Sequence, residues 1–224
     1  MEKINQRAIA RMIDISAVRA DSTQAEIEDI IQAAETYPFI CIFTMPSMID
    51  GIKERVSRIP DVGIGGIVGF PSGGETTATK CFAAQELKAK GCSEIDMVMN
   101  IGKLKSGMYE QVKEDILAVK EVVTPLPLKV IIEVPLLTDE EITKAAQIVC
   151  DCEVAFLKTG TGWAGSTTLH HIELIKASVG DAIPLKVAGG VRSLEMLNTM
   201  RGMGVSRFGI GYKSAIQIMQ EINK

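Results

Sequence analysis

The sequence is poor in the residues that metal centres and disulfide scaffolds require. It has two histidines, the adjacent His170 and His171, and five cysteines, an odd number for a chain long enough to hold a core without disulfides. We therefore expect reduced thiols. Neither the histidine pair nor the close pair Cys150 and Cys152 has a second cluster of ligands, so no metal site is predicted.

The chain also lacks a basic surplus and a long apolar run. Its 24 Lys and Arg against 28 Asp and Glu give a net charge of -4, which does not supply the basic stripe that nucleic-acid binding needs. No segment is apolar enough to cross a bilayer, and residues 1–10 show no signal-peptide pattern. With 46% hydrophobic residues, we expect one globular domain over residues 1–224, in the cytoplasm, with no nucleic-acid or membrane partner.

Short β-branched runs alternate with longer amphipathic stretches, which is typical of βα units around a parallel sheet. Seven runs are clear, at 39–44, 64–70, 94–99, 128–133, 154–158, 183–187 and 206–210, and a fainter one lies at 12–14. Apolar residues recur at helical intervals over 76–90, 107–123, 138–150 and 168–178. Eight units of about 28 residues predict an α/β fold, a (β/α)8 TIM barrel. An open doubly wound sheet is the alternative, although it normally begins with a Gly-rich turn that is missing here.

Ionisable residues lie at the predicted carboxyl ends of several strands, which form the functional face of such a barrel. They are Asp14, Asp96, Glu133, Lys158 and Lys186. Because unpaired buried charges are costly, these groups either form an ion-pair network or serve catalysis. Lys129 begins its predicted strand, so we expect it at the opposite end of the barrel, in solvent.

Lys158 and Lys186 each lie near the end of a short apolar segment that leads into glycines. A lysine in such a place tends to be partnered or to lose its proton and become a nucleophile. If Lys158 is the nucleophile, Lys186 is the neighbouring cation that lowers its pKa. Asp96 is then the carboxylate that moves protons. These three residues are the predicted catalytic group.

Glycine-rich turns follow the last two predicted strands, where such barrels often bind phosphate on backbone N–H groups. Plain turn geometry would also explain the glycines, but the neighbouring Arg192 favours an anion site. The predicted substrate-binding residues are Asp14, Gly162, Gly189, Gly190, Arg192, Gly209 and Gly211. Trp163, the sole tryptophan, either walls this pocket or packs in the core.

Longer motifs extend over most of the chain. They include Gly69-Phe-Pro71, Glu94-Ile-Asp-Met-Val98, Lys129-Val-Ile-Ile-Glu133, Phe156-Leu-Lys-Thr159 and Lys186-Val-Ala-Gly-Gly-Val-Arg192. Together they resemble the deoxyribose-phosphate aldolase family of class I aldolases. The resemblance implies a barrel in which Lys158 forms the Schiff base, Lys186 is the second lysine and Asp96 relays protons.

The resemblance also implies a reaction and an assembly. The reaction is cleavage of 2-deoxy-D-ribose 5-phosphate, a small sugar phosphate, to D-glyceraldehyde 3-phosphate and acetaldehyde. It proceeds through a covalent lysine imine, without a metal or cofactor. A homodimer or higher homo-oligomer is expected by the same comparison.

Two departures from the family pattern affect the substrate end. Gly211, Tyr212 and Lys213 replace the small hydroxyl residues usual after the eighth strand, so Lys213 is expected to supply charge there or Tyr212 to narrow the pocket. Phe43-Thr-Met-Pro46 stands where a cysteine often precedes the proline. The alternatives are a same-family aldolase for another, differently phosphorylated or unphosphorylated aldehyde, and a non-catalytic sugar-phosphate-binding barrel.

Overall fold

The structure, a computed structural model, describes residues 5–222 and contains eight parallel strands that close into a barrel in chain order. The strands are β1 Ile13–Ala17, β2 Cys41–Thr44, β3 Gly63–Val68, β4 Glu94–Val98, β5 Leu128–Ile131, β6 Phe156–Lys158, β7 Leu185–Ala188 and β8 Val205–Gly211. β1 pairs with β8, with Asp14 opposite Gly209, which closes the sheet. The predicted TIM barrel is therefore confirmed, and the open sheet is wrong.

Helices surround the barrel. They are α1 Gln6–Ala10, α2 Gln24–Thr36, α3 Lys53–Val56, α4 Thr77–Ala89, α5 Ile101–Lys105, α6 Tyr109–Val123, α7 Asp139–Asp151, α8 Leu169–Val179, α9 Leu194–Gly202 and α10 Tyr212–Glu221, with short 3-10 helices at Pro46–Gly51 and Val134–Leu136. The four predicted helices correspond to α4, α6, α7 and α8. No helix between residues 5 and 222 is both long and apolar enough to span a membrane.

Sequence signals at the helix starts explain where several helices begin. The Thr138 hydroxyl accepts a hydrogen bond from the Glu141 backbone N–H, and the Glu141 carboxylate accepts one from the Thr138 N–H. Thr23 and Glu26 form the same capping box at α2. Each box satisfies two backbone donors that the first helical turn leaves free. The motifs therefore fix the points at which the chain turns from a loop into a helix.

Side-chain alternation along the strands separates an apolar outer layer from a charged interior. On β4, Ile95 faces outward beside Leu87 of α4, and a Cβ atom added at Gly66 of β3 would meet both side chains. Since successive strand residues point to opposite faces, Glu94 and Asp96 point into the barrel. The helices thus pack on the apolar face, while the acidic face of β4 is enclosed.

A close approach between β2 and β3 fixes one aromatic ring inside the barrel. A Cβ atom added at Gly65 would lie 2.1 Å from Cζ of Phe43, so only glycine leaves room for the ring. Phe43 is buried with Cys41 and Ile67 in a small interior cluster. The shape of the barrel interior at this level depends on Gly65.

Replacing Gly65 by alanine should therefore destabilise the fold by about 1–3 kcal/mol, because the new methyl group overpacks the interior. Urea denaturation measures the change. Gly51→Ala is the control, since a Cβ atom there meets nothing within 4 Å. Equal midpoints for the two variants would contradict this packing account.

Candidate active site

Two lysines and one aspartate meet inside the barrel. The Nζ atoms of Lys158 and Lys186 donate hydrogen bonds to the same oxygen, Oδ2 of Asp96, at 2.8 and 2.6 Å. β6 and β7 pair with Lys158 directly opposite Lys186, so both side chains enter the interior at the same level. The structure thus brings the three predicted catalytic residues together, with both lysines bound to the carboxylate of Asp96.

A second layer of charge lies beneath this trio. Lys129 Nζ donates to Oδ1 of Asp96 at 3.2 Å and also contacts Glu94. Arg207 donates to Glu94 at 2.8 Å and to Asp14 at 2.8 Å. Lys129 has no exposed surface, so the prediction of a solvated Lys129 is wrong. The reason is its register opposite Asp96, which points its side chain inward.

Asp14 and Asp96 lie deeper than their predicted places at the strand ends. Asp14 is the second residue of β1, which continues through Ala17, and Asp96 is in the middle of β4. Lys186 Nζ approaches Oδ2 of Asp14 at 2.6 Å as an ion pair without hydrogen-bond alignment. These two carboxylates therefore form the floor of the site rather than its rim.

The charges of this network nearly balance. It contains three carboxylates and four basic groups, namely Asp14, Glu94, Asp96, Lys129, Lys158, Lys186 and Arg207. The expected alternative of a buried ion-pair network thus describes the lower layer. With one amine neutral, the remaining three cations match the three carboxylates. Buried charge is least costly when balanced, so the surplus proton is the easiest to lose.

Burial lowers the pKa of Lys158 to about 8. Asp96 opposes this shift, while the neighbouring Lys186 and Lys129 cations add to it. At pH 7 about one amine in ten is then neutral, far more than for an exposed lysine. For Asp96 the burial penalty is outweighed by the three lysines, which hold the pKa of this carboxyl well below its usual value. Asp96 is thus a carboxylate whenever Lys158 is neutral.

A cavity of about 340 Å³ opens above the amines at the carboxyl ends of the strands. Lys158 and Lys186 line it, and Asp96 lies just beneath. All the predicted substrate-binding residues also line it, namely Asp14, Gly162, Gly189, Gly190, Arg192, Gly209, Gly211 and Lys213. The sequence-predicted residues therefore surround a single cavity.

The turn after β7 is closely packed against the loop that follows β6. Gly189 and Gly190 have positive φ angles of 88° and 91°, and a Cβ atom at Gly189 would lie 2.9 Å from the carbonyl oxygen of Gly165. Turn geometry thus accounts for these glycines, as the alternative held. Arg192 and Lys213 add exposed positive charge to the cavity, and within residues 5–222 neither forms an ion pair.

Tyr212 lines the cavity, and its hydroxyl group is bound to a neighbouring helix. The group donates to Oε1 of Glu26 on α2 at 3.3 Å, and the residue is only 7% exposed. The Glu26 carboxylate also forms a salt bridge with the Arg19 guanidinium at 2.8 Å. Tyr212 therefore ties α10 to α2, and Lys213 is left as the charged residue after β8.

Part of the cavity wall is aromatic. Trp163 is 45% exposed, and its indole N–H donates to the backbone oxygen of Val18 at 3.0 Å. Its ring meets Phe70 edge-on at 5.9 Å between centroids. Of the two expectations for Trp163, the pocket wall is the one that the structure shows.

Glu133 stands apart from the ion-pair network. Its carboxylate accepts the backbone N–H of Thr161 at 3.2 and 3.1 Å, just beyond β6. Burial raises the pKa of this carboxyl, and the Thr161 contacts partly oppose the shift. Glu133 thus supports the loop that follows Lys158 instead of joining the charges around Asp96.

The histidines are engaged at the start of α8. His170 pairs with Asp139 at 2.9 Å, and Nδ1 of His171 accepts the Thr168 backbone N–H. In the part of the chain that the structure describes, no group of three or more His, Cys, Asp and Glu side chains is placed to hold a metal ion.

A buried amine cluster below the carboxyl-end cavity of a TIM barrel is a candidate enzyme active site, because functional sites in this fold lie at that end. A family model described as "DeoC/LacD family aldolase" matches residues 7–209, and the chain belongs to this aldolase family. The expected resemblance and the aldolase activity are thereby confirmed.

Individual relatives agree with this assignment. A deoxyribose-phosphate aldolase from Sinorhizobium medicae (strain WSM419) is 43% identical over 216 residues, 96% of this chain and 87% of that protein. The solved structure of "QR15, an Aldolase" is 32% identical, with a TM-score of 0.88 and coverage of 98% and 96%. A structure from Coccidioides immitis superimposes with a TM-score of 0.92 at 26% identity, covering 100% and 89%.

Removing the Lys129 cation from the lower layer should destabilise the fold. Lys129→Met is expected to lower the free energy of unfolding by about 3–5 kcal/mol, because Glu94 and Asp96 would lose a buried partner. Chemical denaturation measures the loss. The control is Lys103→Met, on the partly exposed surface of α5. A loss no larger than that of the control would show that the lower layer contributes little.

Proposed function

We propose that this aldolase cleaves 2-deoxy-D-ribose 5-phosphate to D-glyceraldehyde 3-phosphate and acetaldehyde, with Lys158 as the Schiff-base residue. The main observation behind this proposal is the buried Lys158 amine, which lines the cavity and whose pKa is lowered to about 8. The name of the 43% identical relative supports the choice of substrate. Neither a different aldehyde nor a non-catalytic barrel has comparable support.

The reaction begins with addition of the neutral Lys158 nitrogen to the aldehyde carbon of the open-chain sugar. Proton transfer and loss of water from the resulting carbinolamine give an iminium ion. Loss of the proton from the hydroxyl group on the third carbon then breaks the bond between the second and third carbons. The electron pair moves into the iminium and leaves an enamine, as glyceraldehyde 3-phosphate departs. Protonation of the enamine and hydrolysis by water release acetaldehyde and restore the amine.

Asp96 and Lys186 have different roles in proton transfer in this scheme. Asp96 contacts both amines through one oxygen, so a proton can pass between them along two hydrogen bonds. The lowered pKa of Asp96 means that the carboxyl group holds a proton only briefly. Lys186 is therefore the proton store, and Asp96 is the relay.

The phosphate end of the substrate belongs at the glycine turns in this proposal. The backbone near Gly189, Gly190 and Gly211 lines the cavity together with the cationic Arg192 and Lys213. The two side chains add positive charge at its exposed side, which suits a phosphate dianion. Lys213 takes the place of the hydroxyl groups that the family usually has there.

No cofactor enters the proposed reaction, because the iminium itself is the electron sink. The direct partner is the sugar phosphate. Self-association and the cytoplasmic location stay predictions made from the sequence.

Borohydride reduction with acetaldehyde should leave an ethyl group on Lys158, detected by peptide mass spectrometry, because hydride fixes the iminium as a secondary amine. Lys158→Leu should lose this label and about 10⁴-fold or more in kcat. Lys158→Arg keeps a cation but forms no imine and should be equally inactive. An unlabelled Lys158 in an active wild-type protein would refute its assignment.

The pH dependence of kcat/KM should report the Lys158 amine. Only the neutral amine attacks, so kcat/KM should rise with pH and level off above a midpoint of about 8. An exposed lysine would place the midpoint near ~10.4. Steady-state rates of retro-aldol cleavage across this range give the midpoint. A flat profile, or one that rises only near the exposed value, would count against a buried nucleophile.

A further inference from the structure

The Phe43 ring lies among the amines of the site. Its centroid is 4.4 Å from Lys186 Nζ, 5.2 Å from Lys129 Nζ and 5.9 Å from Lys158 Nζ. Each distance is within the range at which the face of an aromatic ring attracts a cation. The attraction weakens with distance, so Lys186 gains the most and Lys158 the least.

The ring is held firmly in this position. It is 3% exposed, it packs with Cys41 and Ile67, and the missing side chain of Gly65 leaves the space it occupies. It also lines the cavity beside both amines. A desolvated ring at a fixed distance is the setting in which cation–π attraction is strongest.

Something besides hydrogen bonding has to distinguish the two amines, because they share one hydrogen-bond acceptor. Lys158 and Lys186 both donate to Oδ2 of Asp96, so this contact alone does not decide which of them loses its proton. The other ionisable groups around them are Asp14 on β1, Cys41 on β2, Glu94 on β4, Lys129 on β5, Glu133 after β5 and Arg207 on β8. Among these, Asp14 also favours the ammonium of Lys186, at 2.6 Å.

We propose that Phe43 is a positioning residue that selects the nucleophile: its ring stabilises the ammonium of Lys186 and leaves Lys158 as the amine that gives up its proton. This inference rests on the proposed function and adds to it the basis of the choice between two lysines. Asp14 and the ring act together on Lys186. The ring's share can be measured separately, since it can be removed without changing the number of charges.

Acetaldehyde and borohydride provide the probe. The wild-type protein should carry the ethyl label mainly on Lys158. In Phe43→Leu, which keeps an apolar side chain but removes the ring, the ratio of label on Lys158 to label on Lys186 should fall about tenfold. Phe43→Met fills the same space with a flexible chain and should give a similar fall.

A matched control removes another ring from the same network. Phe156 lies 5.9 Å from Lys129 Nζ and 6.0 Å from Cζ of Arg207, away from the two upper amines. Phe156→Leu should leave the labelling ratio unchanged. If it changes the ratio as much as Phe43→Leu does, general loosening of the barrel is responsible and the proposal fails.

The pH dependence of the labelling ratio separates proton placement from altered shape. If the ring acts through the charge of a cation, the Phe43→Leu effect should shrink as the pH rises well above the Lys158 midpoint of about 8, because fewer charged amines remain for the ring to attract. An effect of equal size at all pH values, an unchanged ratio, or failure of both Phe43 variants to fold would overturn the proposal. Wild-type protein that takes no label on either lysine would instead refute the proposed function.

Discussion

The site depends on one carboxylate that three lysines share. Asp96 accepts from Lys158 and Lys186 on one oxygen and from Lys129 on the other, without exposure to solvent. A carboxylate so surrounded keeps its charge, and it keeps the ammonium groups close enough to repel one another. Since burial also disfavours each charge, the group that has least compensation gives up its proton. Lys158, at the cavity floor, is that group.

The barrel architecture brings the charged groups of this cluster close enough to pair with one another. Parallel strands in register place Lys158 opposite Lys186 and Asp96 opposite Lys129, so the charges meet without long flexible connections. The lower layer of Glu94 and Arg207 continues the alternation of sign towards the amino ends of the strands. One network thus joins the ion-paired groups of the lower layer to the Lys158 and Lys186 amines, which line the open cavity.

Much of this arrangement could be predicted from the sequence, because regular spacing of strands is visible in the pattern of β-branched runs. Lys158 and Lys186 were recognisable since each precedes a glycine turn at a strand end. Lys129 was misplaced because it lies near the start of its predicted strand and the residues after it in β5 are all apolar, so the pattern does not show which residues point inward. Arg207, the third residue of β8, was missed for a similar reason, because a charged residue near the start of a strand usually indicates solvent.

The most direct test is the titration of the Lys158 side chain itself. NMR of the carbon next to its amine, assigned by comparison with Lys158→Arg, follows the loss of the proton in the folded protein without substrate. The account predicts a midpoint of about 8. A midpoint near ~10.4, the value of an exposed lysine, would contradict it.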